Sequence, residues 1–185
     1  MMKFCFLCLG IFFIALIISA QIASQASAQP DVAATQTAPE KISAEDGFAE
    51  LTRMVGTWRP ADKPESPIRI RFYLTAGGTV LVESWEARGQ PHSLTLYHRD
   101  GEALLATHYC PQGNQPRLAL AGRDTSGLHF IFRDATDLEP ATESHQHDLW
   151  FDLTDPDRPI RGETYSSKDG PGAPERMQLV RDSET

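Results

Sequence analysis

The chain has 185 residues, 41% hydrophobic and 23% charged, with 17 basic against 25 acidic side chains and a net charge of −8. That is one domain's worth of chain, long enough to close a core without disulfide or metal staples. The acidic excess removes any electrostatic basis for binding nucleic acid phosphates or an anionic membrane surface.

At the N-terminus Lys3 precedes an apolar run from Phe4 to Ile18, and small and polar residues continue to Ala28. Residues 1–28 read as a secretory signal peptide. The run of about 15 residues falls short of the roughly 20 that span a bilayer, and Ala26-Ser27-Ala28 offers the small residues of a cleavage site. Cleavage after Ala28 is the expectation, with Ala20 as the alternative and an uncleaved anchor as the competing reading. Neither Cys5 nor Cys8 sits in a pattern for lipid attachment. The exported chain is then periplasmic or secreted, with no stable membrane insertion. It loses Lys3, Cys5 and Cys8, becomes one charge more negative and keeps only Cys110. No intramolecular disulfide is then possible, and Cys110 is either buried and inert or exposed for reaction.

Residues 29–42 are rich in Ala, Thr, Gln and Pro and carry too little apolar surface to offset the entropy of ordering, so they are expected to form a flexible leader. The folded domain is expected over 43–185. Ser43 is a helix cap with Asp46 three residues on, and Phe48, Leu51, Met54 and Val55 follow at helical spacing, which predicts a short helix to about Arg53.

Beyond Val55 the period falls to two. In Ile68-Arg69-Ile70-Arg71-Phe72-Tyr73-Leu74 every second residue is apolar, as in a half-buried strand. Ten strands are expected, over 55–59, 67–74, 79–87, 93–99, 102–110, 116–122, 127–134, 146–153, 159–166 and 175–181. The fold class is therefore all-β, an antiparallel up-and-down β-barrel with a short N-terminal helix. Gly77-Gly78, Asp100-Gly101 and the stretch from Asp124 to Gly127 are tight hairpin turns, whereas 60–66, 88–92, 111–115, 135–145 and 167–174 are longer links. In a meander successive links alternate between the two ends. The tight turns thus gather at one end and the long links form a mouth at the other, where a small ligand enters.

A helix, then Val55-Gly56-Thr57-Trp58, then a meander, resembles the calycin group of lipocalins, fatty-acid-binding proteins and nitrobindin-like barrels. The resemblance implies that Trp58 plugs the barrel floor and that a late basic residue, Arg176 or Arg181, packs over it. Ten strands match the fatty-acid-binding and nitrobindin-like members better than the eight of lipocalins. The nitrobindin-like members also follow the Trp with a Gly-rich stretch and ligate haem through a C-terminal His. Here Arg59-Pro60 follows and no His lies beyond His147, so the resemblance stops short of haem. The sequence names no cofactor.

Hairpin register assigns faces. With Gly77-Gly78 as the turn, Ile68, Ile70, Phe72 and Leu74 share a face with Leu81, Glu83 and Trp85, while Arg69, Arg71, Ser84 and Glu86 take the solvent side. Glu83 then points inward and needs a cationic partner, such as an interior Arg, or a raised pKa. The Asp100-Gly101 hairpin groups Leu94, Leu96, His98, Leu105, Thr107 and Tyr109 against Thr95, Tyr97, Leu104, Ala106, His108 and Cys110, and the sequence leaves open which set faces in.

The stretch Thr107-His108-Tyr109-Cys110-Pro111-Gln112-Gly113-Asn114-Gln115-Pro116-Arg117 is dense in specific donors and acceptors at a Pro- and Gly-shaped bend. It is either a loop that satisfies its own backbone or a ligand contact, with Arg117 and Asn114 orienting a carboxylate or phosphate head. His145 and His147, at i, i+2 on a strand, are rim histidines or, with His108 or Cys110, part of a metal site. The expected ligand contacts are thus Phe72, Leu81, Glu83, Trp85, Tyr109, Asn114 and Arg117, for a small lipophilic molecule with a polar or anionic head. Gly-x-Ser-x-Gly, P-loop and dinucleotide fingerprints are absent and no catalytic residues are assigned. A metal- or haem-dependent or acid-base enzyme on the same barrel is the alternative. A structural or interaction domain of the cell envelope is the third reading.

Overall fold

The structure is a computed structural model that describes residues 39–182. The expected signal peptide and the leader before residue 39 lie outside the described residues. The final leader residues are held in place: Glu40 pairs with Arg123 through two backbone hydrogen bonds of 2.6 and 2.8 Å, and Ile42 packs against the core.

Helix α1 (Ala44–Leu51) begins where expected. The Ser43 hydroxyl accepts from the Asp46 amide at 3.0 Å and donates to the Asp46 carboxylate at 2.7 Å, which satisfies one of the helix's orphan donors. A 3-10 turn, Thr52–Met54, finishes it. Leu51 and Met54 are fully buried, but Val55 is exposed.

Eleven strands follow among the described residues: β1 (Gly56–Pro60), β2 (Ile68–Thr75), β3 (Val80–Ala87), β4 (Gln90–Asp100), β5 (Ala103–Tyr109), β6 (Gln115–Asp124), β7 (Gly127–Thr136), β8 (His145–Asp152), β9 (Ile160–Ser167), β10 (Gly170–Pro171) and β11 (Glu175–Arg181). From β1 to β9 each strand pairs antiparallel with the next in sequence. The ring then closes through β9 to β11 and β11 to β1. Ten strands form the closed barrel. The two-residue β10 is an extra hairpin arm on β9.

The register predicted for β2 and β3 is present, with Ile70 opposite Trp85, Phe72 opposite Glu83 and Leu74 opposite Leu81. Between β4 and β5 the inward set is Thr95, Tyr97, Leu104, Ala106, His108 and Cys110, all buried, and Tyr109 on the other face is 44% exposed. Several links differ from expectation: Gly77-Gly78 sit in a 3-10 turn, Ala76–Gly78, within a four-residue link, and the β4–β5 hairpin turns on Gly101-Glu102, with Asp100 paired to Ala103. Residues 88–92 were expected to form a long mouth loop, but Arg88 and Gly89 alone make a tight turn, with φ of 54° and 71°. Pro91 is accommodated within β4 opposite Glu86, beside a bulge at Trp85/Glu86 that absorbs the change in register.

The helix closes the tight-turn end. Gly47 sits so close to the side chains of Leu104 and Leu120 that a Cβ would press on them, Arg53 donates to the Leu153 carbonyl at 3.2 Å, and Arg123 pairs with Glu50. Beneath the helix lies a continuous apolar core that includes Leu51, Met54, Trp58, Phe72, Leu81, Leu118, Phe130 and Phe151. Each such side chain contributes about 1.5–3 kcal/mol by leaving water.

Trp58 is fully buried and its indole donates to the Met54 carbonyl at 2.6 Å. The Arg181 guanidinium lies 4.1 Å from the Trp58 ring centre and donates to the Val55 carbonyl at 2.6 Å. Gly56, at φ 135°, makes this approach possible, since any Cβ there would collide with the guanidinium.

Candidate functional site

The other end of the barrel has a polar interior. Glu83, fully buried, accepts at Oε1 from the Trp85 indole and from Arg161 Nε, both at 2.6 Å, and at Oε2 from the Tyr97 hydroxyl. Arg161 therefore supplies the interior cation that Glu83 required. Its Nη1 reaches Glu163 Oε2 at 3.0 Å, and its guanidinium lies 4.9 Å from the Trp85 ring centre. Gln146 donates to the same Glu163 oxygen at 2.7 Å. The bulge between Gln146 and Asp148 accompanies this inward reach of Gln146.

Beside this network His108 Nδ1 lies 2.9 Å from the Thr95 hydroxyl, and Nε2 lies 3.5 Å from the Tyr165 hydroxyl. A pocket of about 110 Å³ opens here, lined by Trp85, His92, Ser93, His108, Pro111, Arg161, Glu163 and Tyr165. A smaller one of about 50 Å³ shares Trp85, Arg161 and Glu163 and continues to Glu175, Arg176 and Met177. Arg176 and Met177 in turn border an open groove that also touches Lys63 and Ile68. The two pockets, through their shared Trp85, Arg161 and Glu163, border one polar cleft at the loop-bearing end.

Charge states follow from these contacts. Burial, reinforced by the Arg161 guanidinium, lowers the His108 pKa to about 4, so the imidazole is neutral near pH 7. Burial pulls the Arg161 pKa down, but Glu163, Glu83 and Tyr97 outweigh it and hold the value above the ordinary range. Burial pushes the Glu163 carboxyl up, and Arg161 and Gln146 more than offset it, keeping the group ionised. The phenols of Tyr97 and Tyr165 are both raised, first by burial and then by a neighbouring carboxylate, Glu83 for Tyr97 and Glu163 for Tyr165.

The sequence-predicted contacts divide into four groups. Glu83 and Trp85 belong to the polar cluster. Phe72 and Leu81 lie in the packed apolar core, each at most 2% exposed, and therefore support the barrel without bordering this pocket. Tyr109 and Arg117 stand on the outer face: Tyr109 is exposed, and Arg117, opposite Thr107, pairs with Asp134. Their neighbours in sequence, His108 and Leu118, take the inward positions because alternation allows only one of each pair inside. Asn114 is fully buried and donates to the Ser144 carbonyl at 3.0 Å, tying the β5–β6 link to the β7–β8 link.

The expected metal set is not assembled. His145 and His147 do lie together, their ring centres 5.7 Å apart and both against Phe132. His108 instead faces Thr95 and Tyr165. Among the described residues no three His, Cys, Asp or Glu side chains are arranged to hold a metal ion. Cys110 is buried and unbridged, the inert of its two expected fates in terms of access.

Sequence reasoning missed Tyr97, Gln146, Arg161, Glu163 and Tyr165 as members of one cluster. The signal was present in Ile160-Arg161-Gly162-Glu163-Thr164-Tyr165, where neither alternate set is apolar. Gly162 decides the facing, because the Trp150 ring lies against it and leaves no room for a Cβ, so Arg161, Glu163 and Tyr165 take the inner side.

No protein-family model matches the chain, and no curated protein matches it. Function is therefore inferred from the chemistry of the cleft.

Proposed function

We propose that this protein is an exported, calycin-like barrel that binds a small molecule at its loop-bearing end. The observation that carries the proposal is the pocket of about 110 Å³ beside a buried and tightly bonded polar cluster, where Glu163, His108 and Tyr165 still face open space. Such pairing of a shaped cavity with a few fixed polar groups is the general form of a small-molecule site. The Trp58–Arg181 stack on the barrel floor supports the calycin kinship, and the apolar run from Phe4 to Ile18 supports export. The ligand's polar head enters the pocket, and its apolar part lies along Trp85, Pro111 and Met177. It does not extend along the barrel axis, because Phe72, Leu81 and Tyr97 fill that space. The rationale for an anionic head was Arg117, which pairs with Asp134 on the outer face.

Native mass spectrometry of the protein secreted from an expression host tests this reading. An organic mass is expected on the wild type and absent from Ser93→Trp, a substitution that fills the pocket from its rim. A bare wild-type mass together with no thermal shift across a small-molecule panel overturns it.

A second reading, acid-base catalysis in the same pocket, is favoured by the neutral His108 with Thr95 on one ring nitrogen and a phenol near the other. In that case His108→Gln retains the ligand but stops its conversion, as measured by the mass of the bound species over time.

A further inference from the structure

We infer that the pocket selects a cationic head, a primary ammonium or a guanidinium; this deduction rests on the binding reading above. The argument begins with the distribution of charge. One guanidinium, Arg161, stands between two carboxylates, Glu83 and Glu163. Glu83 is saturated by Trp85, Arg161 and Tyr97. Glu163 is not: its Oε2 takes both Arg161 and Gln146, its Oε1 has no partner among the described residues, and its side chain keeps 19% exposure. Glu175 and Arg176, next along the cleft, add one charge of each sign. The His108 imidazole adds no positive charge. The cleft therefore holds one uncompensated negative charge, with its free oxygen at the pocket.

An anion entering here meets that oxygen and, for a cation, only the Arg161 guanidinium, whose charge is already shared between two carboxylates. Arg161 has already given Nε and Nη1 to carboxylates and lies over the Trp85 ring. An ammonium meets acceptors. The neutral His108 imidazole keeps one ring nitrogen as an acceptor, and the Tyr165 hydroxyl beside Nε2 both donates and accepts. A charge-assisted hydrogen bond to Glu163 is the strongest contact the pocket offers. Size agrees: about 110 Å³ corresponds to the space of roughly four waters at about 30 Å³ each. That admits a head of a few heavy atoms and leaves the rest of the molecule at the rim.

Benzylamine, benzyl alcohol and benzoate share one apolar body and differ in the charge of the head. Isothermal titration of the domain, stripped of carried-over ligand by unfolding and refolding, compares the three. Benzylamine is expected to bind at least tenfold more tightly than the other two, and Glu163→Gln to erase that preference. The ranking on the wild type decides the matter even if Glu163→Gln does not fold. If benzoate or benzyl alcohol binds as well as the amine, the cationic head is wrong and the binding reading survives. If none of the three binds and the panel above also fails, both fall.

Discussion

The two ends of the barrel solve the problem of filling their interior by opposite means. At the helix end, side chains such as Leu51, Met54, Trp58 and Phe72 exclude water by packing, with no polar atom left to satisfy beyond the Trp58 indole. At the loop end the interior is built from Glu83, Arg161, Glu163, Gln146 and His108, where each group depends on its neighbours' charges and protons. Tyr97 joins the two: its ring packs edge-on against Phe130 and Phe151 at 5.8 and 6.0 Å, and its hydroxyl donates to Glu83. Apolar packing tolerates change in proportion to the volume removed, whereas a buried charge network fails when one member leaves. The proposed binding site lies at the second kind of end because there the interior offers groups that can recognise a particular head.

Four measurements sharpen or break this contrast. The largest effect is expected for Arg161→Met, which strands Glu83 and half of Glu163 in the interior and should cost about 3–5 kcal/mol in denaturant unfolding. Adding Glu83→Leu should return much of that loss, because the unpaired carboxylate is gone. A single variant within 1 kcal/mol of wild type would mean that the polar end is not a coupled network.

Leu51→Ala at the helix end should cost about 2–4 kcal/mol, through lost burial and a cavity. Combined with Arg161→Met, its effect should add to within about 0.5 kcal/mol, since the two sites share no partner. Strong coupling between them would dissolve the distinction between the ends.

The pH dependence follows from His108. Its folded pKa of about 4 lies below the unfolded value near 6.5, so the unfolded chain binds the proton more readily. The stabilisation from keeping this imidazole neutral is complete above about pH 6.5 and is lost as pH falls to about 4, amounting to roughly 3 kcal/mol. Comparing urea midpoints of the wild type and His108→Gln over this window isolates the effect, because the carboxylates are common to both. Parallel curves would remove His108 from the buried cluster.

The smallest effect is expected at Arg181. Replacing it with Ala removes a surface cation from the Trp58 face and a donor from the Val55 carbonyl, for about 1 kcal/mol. The loop end should not respond, and a change in affinity for the amine probe would show that the floor and the cleft communicate.

Much of the architecture was legible because it rests on local rules. The Ser43 cap, the alternation from Ile68 to Leu74 and the glycine turns each specify a conformation within a few residues, and strand order follows when every link is short. The Arg88-Gly89 turn was less legible, because Pro91 argued for a loop and only the adjacent bulge lets it sit in a strand. Of the site, Glu83 and Trp85 were readable from one hairpin. Arg117 and Tyr109 lie on the outer face, which was not legible because a bend rich in polar residues does not say which of them turns inward.

Sequence alone determined an all-β meander with a capped helix, and an inward carboxylate at Glu83 that needed a partner, since these depend on spacing and turn chemistry. Only the tertiary structure decided which partner. Arg161 is far from Glu83 in sequence, and ring closure through β8, β9 and β11 sets them 2.6 Å apart. Closure also turned His108 inward and Tyr109 outward, and left one oxygen of Glu163 facing a pocket. Period-two alternation names two faces, but which face is the inside depends on the curvature of the whole sheet.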